Sequence, residues 1–197
     1  MNLTLGTLST LKAWLLNPDL LGKTAYDSAI AELGRGTAAR FELFCNRQFA
    51  RATRTRVVDA SLCQLSLAAF PVESAPEVEA CYETGGGFTA APGDLAKFAA
   101  ASGVVWLAPT DALQRRLTWT GGYWLDESAD GTGALPAGAA PVPDALRLAW
   151  LQQCARDWAR RQKLGIPPAA TQSAAEAAAA FLPEVAETLA AFKRHAL

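Results

Sequence analysis

The stretch from Leu117 to Leu164, LTWTGGYWLDESADGTGALPAGAAPVPDALRLAWLQQCARDWARRQKL, contains a strand, a Gly-Gly turn, a loop and the best-marked helix of the chain. Leu117 and Trp119 alternate with polar residues, which predicts a strand with one buried face. Asp144 can cap the first free N–H groups of a helix over residues 144–163. Four apolar residues recur on one face of that helix and predict the centre of the core: Leu146, Trp150, Cys154 and Trp158.

Two further helices are expected ahead of this stretch. Residues 7–16 form the first, which Thr7 can cap, and residues 19–46 form the second. Phe41 and Phe44 follow the apolar spacing of the second helix. Both are therefore predicted to be core residues.

The chain changes to a period of two between about residues 52 and 124, where Gly and Pro residues separate the segments. This pattern predicts an inserted, mostly antiparallel β-sheet. Residues 92–101 are interpreted as a helical turn within it. The expected fold class is α+β and mainly helical, with the sheet inserted into a small helical bundle.

The C-terminal segment is expected to stand apart, because Pro167 and Pro168 end the long helix. This divides the chain into a core over residues 1–168 and a C-terminal helical arm over residues 169–197. The arm carries an apolar stripe that either folds back on its own core or enters the groove of a partner. Its candidate docking residues are Phe181, Leu182, Val185, Leu189 and Phe192.

Charge is nearly balanced over the whole chain, with 18 basic and 19 acidic residues and a formal net charge of −1. Residues 35–56 contain six Arg and one Glu, whereas residues 71–94 contain five acids and no Lys or Arg. These runs are either solvated surfaces or complementary surfaces on neighbouring copies of an assembly. The balanced total disfavours a protein that binds nucleic acid through its overall charge.

No catalytic or cofactor site is indicated by the residue pattern. The single histidine, His195, lies close to the end of the sequence, and the four cysteines form no C-x-x-C pair. We therefore expect no enzyme activity, no metal and no cofactor, with the cysteines reduced in a cytoplasmic setting. No apolar run approaches the ~20 residues that cross a bilayer, so no membrane contact is expected.

Several segments resemble one family. The strand ending WTGGY at Tyr123 and the helix start VPDALRLAWL at Val142 are similar to the head–tail connector (adaptor, or head completion) proteins of long-tailed bacteriophages. So are LGTLSTLKAWL from Leu5, FELFCNRQF from Phe41, and the later segments LSLAAFPV and LPEVAETLAAFKR. Asn46 stands where the family usually has Gly, and Asn also adopts the left-handed conformation that ends a helix.

The resemblance implies a structural protein of the virion neck, assembled in the cytoplasm of the bacterial host. It implies a dodecameric ring on the capsid portal, a lumen through which DNA passes without sequence specificity, and a portal protein and a tail-side neck or stopper protein as partners. It also implies that the C-terminal segment docks on the portal. The alternative is a small DNA-binding or packaging factor that uses the Arg-rich residues 35–56 and 156–163, and its binding would weaken steeply with salt.

Overall fold

The computed structural model describes residues 3–16, 18, 21–126, 133–164 and 181–194, without the side chains of residues 161–164. Within these ranges the chain forms four α-helices and nine strands. The helices are α1 (Leu8–Leu15), α2 (Asp27–Cys45), α3 (Asp144–Leu164) and α4 (Pro183–Ala190). The strands are β1 (Ala52–Asp59), β2 (Gln64–Ser66), β3 (Glu77–Cys81), β4 (Thr89–Ala90), β5 (Leu95–Ala99), β6 (Val104–Leu107), β7 (Gln114–Gly121), β8 (Tyr123–Trp124) and β9 (Ala140–Pro141).

Two compact units make up the fold. The helical unit consists of the described residues of Met1–Arg47, Leu125–Gly133 and Val142–Lys193. The sheet unit consists of those of Gln48–Trp124, Ala134–Pro141 and Arg194–Leu197. All four cysteines are free thiols. No helix in the described ranges is long and apolar enough to cross a membrane.

The helical unit is built from helices whose ends the sequence encodes locally. The Thr7 hydroxyl accepts a hydrogen bond from the Thr10 N–H at 3.2 Å and caps α1. Asn46 ends α2 with a φ of 49°, so it takes the left-handed conformation expected of it. The predicted start of this helix at residue 19 is wrong. The helix begins only at Asp27, after a turn in which the Asp27 N–H donates to the Thr24 carbonyl at 3.0 Å.

The sheet unit contains a four-stranded antiparallel sheet in the order β1-β7-β3-β4 and a three-stranded antiparallel sheet in the order β2-β6-β5. Strands β8 and β9 form a separate parallel pair. Leu117 on β7 lies opposite Val78 on β3, and both side chains are buried. The buried cluster of this unit contains Val58, Leu65, Leu67, Phe70, Val72, Val78, Val105, Leu107, Leu117 and Trp119.

The prediction of an α+β fold with an inserted antiparallel sheet is confirmed, but the expectation that the chain is mainly helical is wrong. Strands make up a share of the described residues comparable to that of the helices. The helical turn predicted over residues 92–101 is also wrong beyond its first residues. A 3-10 turn occupies only Pro92–Asp94, and β5 follows because its backbone pairs with β6 while Leu95 and Phe98 pack against the buried cluster.

Candidate functional site

The predicted core face of α3 lies at the centre of the helical unit. Leu146, Trp150 and Cys154 are fully buried, and Trp158 is 8% exposed. Phe41 on α2 is also fully buried, whereas Phe44 is half-buried near the end of the same helix. The Phe41 and Phe44 rings both meet the ring of Phe181 edge-on, with centroids 5.3 and 5.5 Å apart.

The apolar stripe of the C-terminal segment packs inside the helical unit. Phe181, Val185 and Leu189 are buried, and the Cys45 thiol of α2 donates a hydrogen bond to the Leu189 carbonyl. Leu182 and Phe192 are half-buried. Of the two arrangements left open by the sequence, the structure therefore has α4 folded back on its own core. The predicted boundary at residues 168 and 169 lies outside the described residues.

A buried glutamine forms a hydrogen bond with the residue that precedes α4. Gln153 of α3 has no exposed surface; its Oε1 accepts from the Leu182 N–H at 3.1 Å, and its Nε2 donates to Asp157 at 3.0 Å. Asp157 in turn forms an ion pair with Arg40 of α2, whose guanidinium lies over the Phe181 ring at 5.7 Å. One polar network thus joins α2, α3 and the residue that precedes α4.

Several residues of the Arg-rich and acidic runs form ion pairs with other residues of the same chain. Among the six arginines of residues 35–56, Arg40 pairs with Asp157, Arg51 pairs with Glu73, and Arg47 is 5% exposed. Three of the five acids in residues 71–94 are also paired with arginines. These pairs are Glu73 with Arg51, Glu79 with Arg116, and Asp94 with Arg115. Part of the charge that the sequence offers to partners is therefore engaged in ion pairs within the chain itself.

Two of the buried cysteines, Cys45 and Cys154, are held in their protonated form. Burial raises the pKa of Cys45 and that of Cys154 to about 12, so both remain neutral thiols near neutral pH. Within the described ranges, no three His, Cys, Asp or Glu residues are grouped so that they could hold a metal ion.

Comparison with solved structures gives a match over nearly the whole chain. A chain of the structure described as "Neck of empty GTA particle computed with C6 symmetry" superimposes with a TM-score of 0.62 and 14% sequence identity. The match covers 99% of this chain and 92% of the neck chain. The two chains share one fold. No protein-family model matches the sequence, and no curated protein matches it either.

The sequence analysis did not identify two buried polar residues, Gln153 and Arg115, although both lie on the buried face that the periodic pattern predicts. Gln153 lies seven residues after Leu146, so it falls on the buried face of α3. Arg115 lies two residues before Leu117, so it falls on the buried face of β7, where it is 1% exposed. In both cases a polar residue occupies a position where the periodic pattern expects an apolar one, and this could have identified it. Each of the two side chains makes the hydrogen bonds that its burial requires.

Proposed function

We propose that this chain is a structural component of the neck of a phage-like particle, where it acts as an adaptor between the capsid portal and the tail. The observation that carries the proposal is the shared fold with the neck chain of a GTA (gene transfer agent) particle, which extends over 99% of this chain. The resemblance of its sequence segments to head–tail connector proteins supports the same role independently.

In this proposal the chain forms a closed ring on the portal, and DNA passes through the lumen. A dodecameric ring, which the sequence resemblance implies, contains the six-fold symmetry with which the related neck was computed. Rings of identical subunits need a contact between two different surfaces of the chain, repeated head to tail until it closes. A tail-side neck or stopper protein would occupy the opposite end of the ring.

Portal docking by the C-terminal stripe requires its residues to be accessible, and most of them are buried. Phe181, Val185 and Leu189 are buried, so they could reach a portal only if α4 left its place between α2 and α3. Leu182 and Phe192 are half-buried and accessible in place. Docking therefore uses either this accessible end of the segment or a rearranged α4.

The salt dependence of DNA binding distinguishes the alternative role, a DNA-binding factor, from the neck adaptor. Arg40 and Arg51 are held in intramolecular ion pairs, which reduces the basic charge available to phosphates. A factor that neutralises several phosphates would lose affinity for DNA by orders of magnitude between about 50 and 200 mM salt. We expect the isolated chain to show only weak DNA binding at the lower of these salt concentrations.

Localisation in the particle tests the proposal. Particles produced by the host that carries this gene would be purified and labelled with gold-conjugated antibodies raised against the chain. We expect label at the junction between head and tail in electron micrographs. Label at the distal end of the tail or over the capsid surface, or absence of the chain from purified particles, would contradict the neck assignment.

A further inference from the structure

We propose that Arg54, Arg56 and Arg194 form a phosphate-binding site for the DNA that passes through the ring, and that this edge of the sheet unit faces the lumen. This inference rests on the proposed function and names a surface of the chain that serves it. Because the phosphate backbone is the same in every DNA sequence, the contact would be independent of sequence.

The first two arginines lie on the outermost strand of the four-stranded sheet. In the described part of the chain, β1 pairs with β7 on one side and with no strand on the other. Arg54 and Arg56 are two residues apart, so their side chains leave the same face of the strand about 7 Å from each other. Arg56 is exposed and Arg54 is half-buried. Both side chains therefore start at the margin of the sheet, where a ligand can approach from solvent.

Arg194 brings a third positive charge to this place. The residue belongs to the sheet unit. Burial lowers the pKa of its guanidinium, and the positive charge of Arg56 lowers it further. Both arginines keep their charge at neutral pH, so the two groups repel each other. An anion held between them would offset this repulsion.

Arg54 and Arg56 also have hydrogen-bonding capacity left for a ligand. The Arg54 Nε is buried and has no acceptor in the described part of the chain, and its Nη2 donates to the Ala50 carbonyl at a long 3.4 Å. Neither Arg54 nor Arg56 forms an ion pair within the described residues, whereas three other arginines of the sheet unit are each paired with a carboxylate: Arg51, Arg115 and Arg116. A buried donor without an acceptor is costly, so the site gains from a ligand that supplies acceptor oxygens.

The side chains around the site favour the phosphates of DNA over an acidic protein surface. Residues 43–58 contain four Arg and no Asp or Glu. Val57 is 48% exposed, but it alternates with the arginines and so belongs to the other face of β1. On the face of Arg54 and Arg56, β1 contributes no exposed large apolar side chain that could anchor a protein partner. Interfaces with DNA are more polar and more positively charged than those between proteins, which agrees with this composition.

The expected affinity of one site is low, which suits DNA that must move through the ring. Three arginines neutralise at most about three phosphates, so the affinity should fall on the order of 40-fold between about 50 and 200 mM salt. This agrees with the weak binding expected above for the isolated chain. A ring repeats the site once in every subunit, so the passing duplex would meet a circle of weak contacts that together bind more strongly than one.

DNA binding by the full chain tests the site. A short fluorescein-labelled duplex would be titrated with the chain at about 50 and 200 mM salt, and binding would be followed by fluorescence anisotropy. Arg56→Gln removes one charge from an exposed position, and the double variant with Arg54→Gln removes two. Arg160→Gln is the matched control, because it removes one charge from an exposed position of α3. Thermal melting would check that each variant is folded.

We expect Arg56→Gln to weaken binding several-fold at the lower salt concentration and to reduce the salt slope by about 1, the value for one phosphate contact. The double variant should lose more, whereas Arg160→Gln should leave both quantities unchanged. An equal effect of Arg56→Gln and Arg160→Gln would overturn the site. So would the absence of binding by the unmodified chain at the lower salt concentration.

Imaging separates this inference from the proposed function. Electron cryomicroscopy of the ring on its portal should place Arg56 on the wall of the lumen. A ring in which Arg56 lies on the outer wall or between subunits would overturn the inference and leave the neck assignment intact. The same holds if Arg56→Gln keeps its affinity for DNA but lowers ring occupancy on the portal, because the arginine would then contact protein. Failure of the unmodified chain to form any ring would overturn the proposed function as well.

Discussion

The indole Nε1 of Trp150 donates a hydrogen bond to the carbonyl oxygen of Gly34 at 2.9 Å, which joins α3 to the middle of α2. A Cβ atom on Gly34 would lie 2.8 Å from Leu3, 2.9 Å from Leu11 and 3.0 Å from Trp150. Glycine is therefore required at this position because four segments approach each other closely there. Although glycine is a poor helix former, α2 runs without interruption through both Gly34 and Gly36.

Gly34→Ala should consequently destabilise the protein although alanine is the better helix former. We expect a loss of about 1–3 kcal/mol in the free energy of unfolding, the usual cost of overpacking a core. Gly36→Ala is the matched control, because nothing lies within 4 Å of its added Cβ, and it should stabilise by up to about 1 kcal/mol. Urea denaturation of both variants measures the difference. Equal shifts would show that the close approach is not significant.

Arg115 should be the most sensitive charged residue of the sheet unit. Its guanidinium pairs with Asp94 at 2.8 Å and donates to the carbonyls of Ala60, Leu62 and Ala108. Arg115→Ala leaves these buried acceptors unpaired, so we expect a loss of about 3–5 kcal/mol in thermal or chemical denaturation.

The neighbouring Arg116 is the control for this prediction. It is paired with Glu79 at the surface, where solvent screens the interaction. Arg116→Ala should therefore shift the melting temperature far less than Arg115→Ala. Equal melting temperatures for the two variants would show that the buried hydrogen bonds of Arg115 are not important for stability.

The sequence predicted the parts of the fold whose signals are local. The four-residue spacing of α3 and the alternation of β7 each identified a buried face without knowledge of the partner. Strand β5 was missed because its conformation depends on pairing with β6, which a pattern over residues 92–101 does not contain. The stripe of α4 posed a different problem. Burial in its own core and docking in a partner's groove require the same amphipathic spacing, so only the contacts with Phe41 and Cys45 distinguish them.

Helix α4 should contribute to the stability of the isolated chain. Leu189 is fully buried, and Leu189→Ala should cost about 2–5 kcal/mol, whereas the exposed Glu187→Ala should stay within about 0.5 kcal/mol. A chain truncated after Ala170 should have a much lower melting temperature than the full chain, because it lacks Phe181, Val185 and Leu189. An unchanged melting curve for that truncation would indicate that α4 is a detachable arm in solution.

Thiol reactivity should distinguish one cysteine from the other three. At pH 8 we expect one equivalent of a maleimide or disulfide reagent to react quickly with the native chain, and none with Cys63→Ser. Burial raises the pKa of Cys45 and Cys154 from 9.0 to about 12, so the folded state keeps both neutral. Their contribution to stability is complete below about pH 9 and is lost as pH rises towards 12. Rapid reaction of more than one thiol at pH 8 would contradict this burial.

Reconstruction of the chain on its portal tests the neck assignment most directly. The portal protein of the same particle would be purified, mixed with an excess of this chain, and imaged by electron cryomicroscopy. The account predicts a closed ring of this chain seated on one end of the portal, with a central lumen wide enough for duplex DNA. Portal rings that remain bare at saturating concentrations of a folded chain would contradict it.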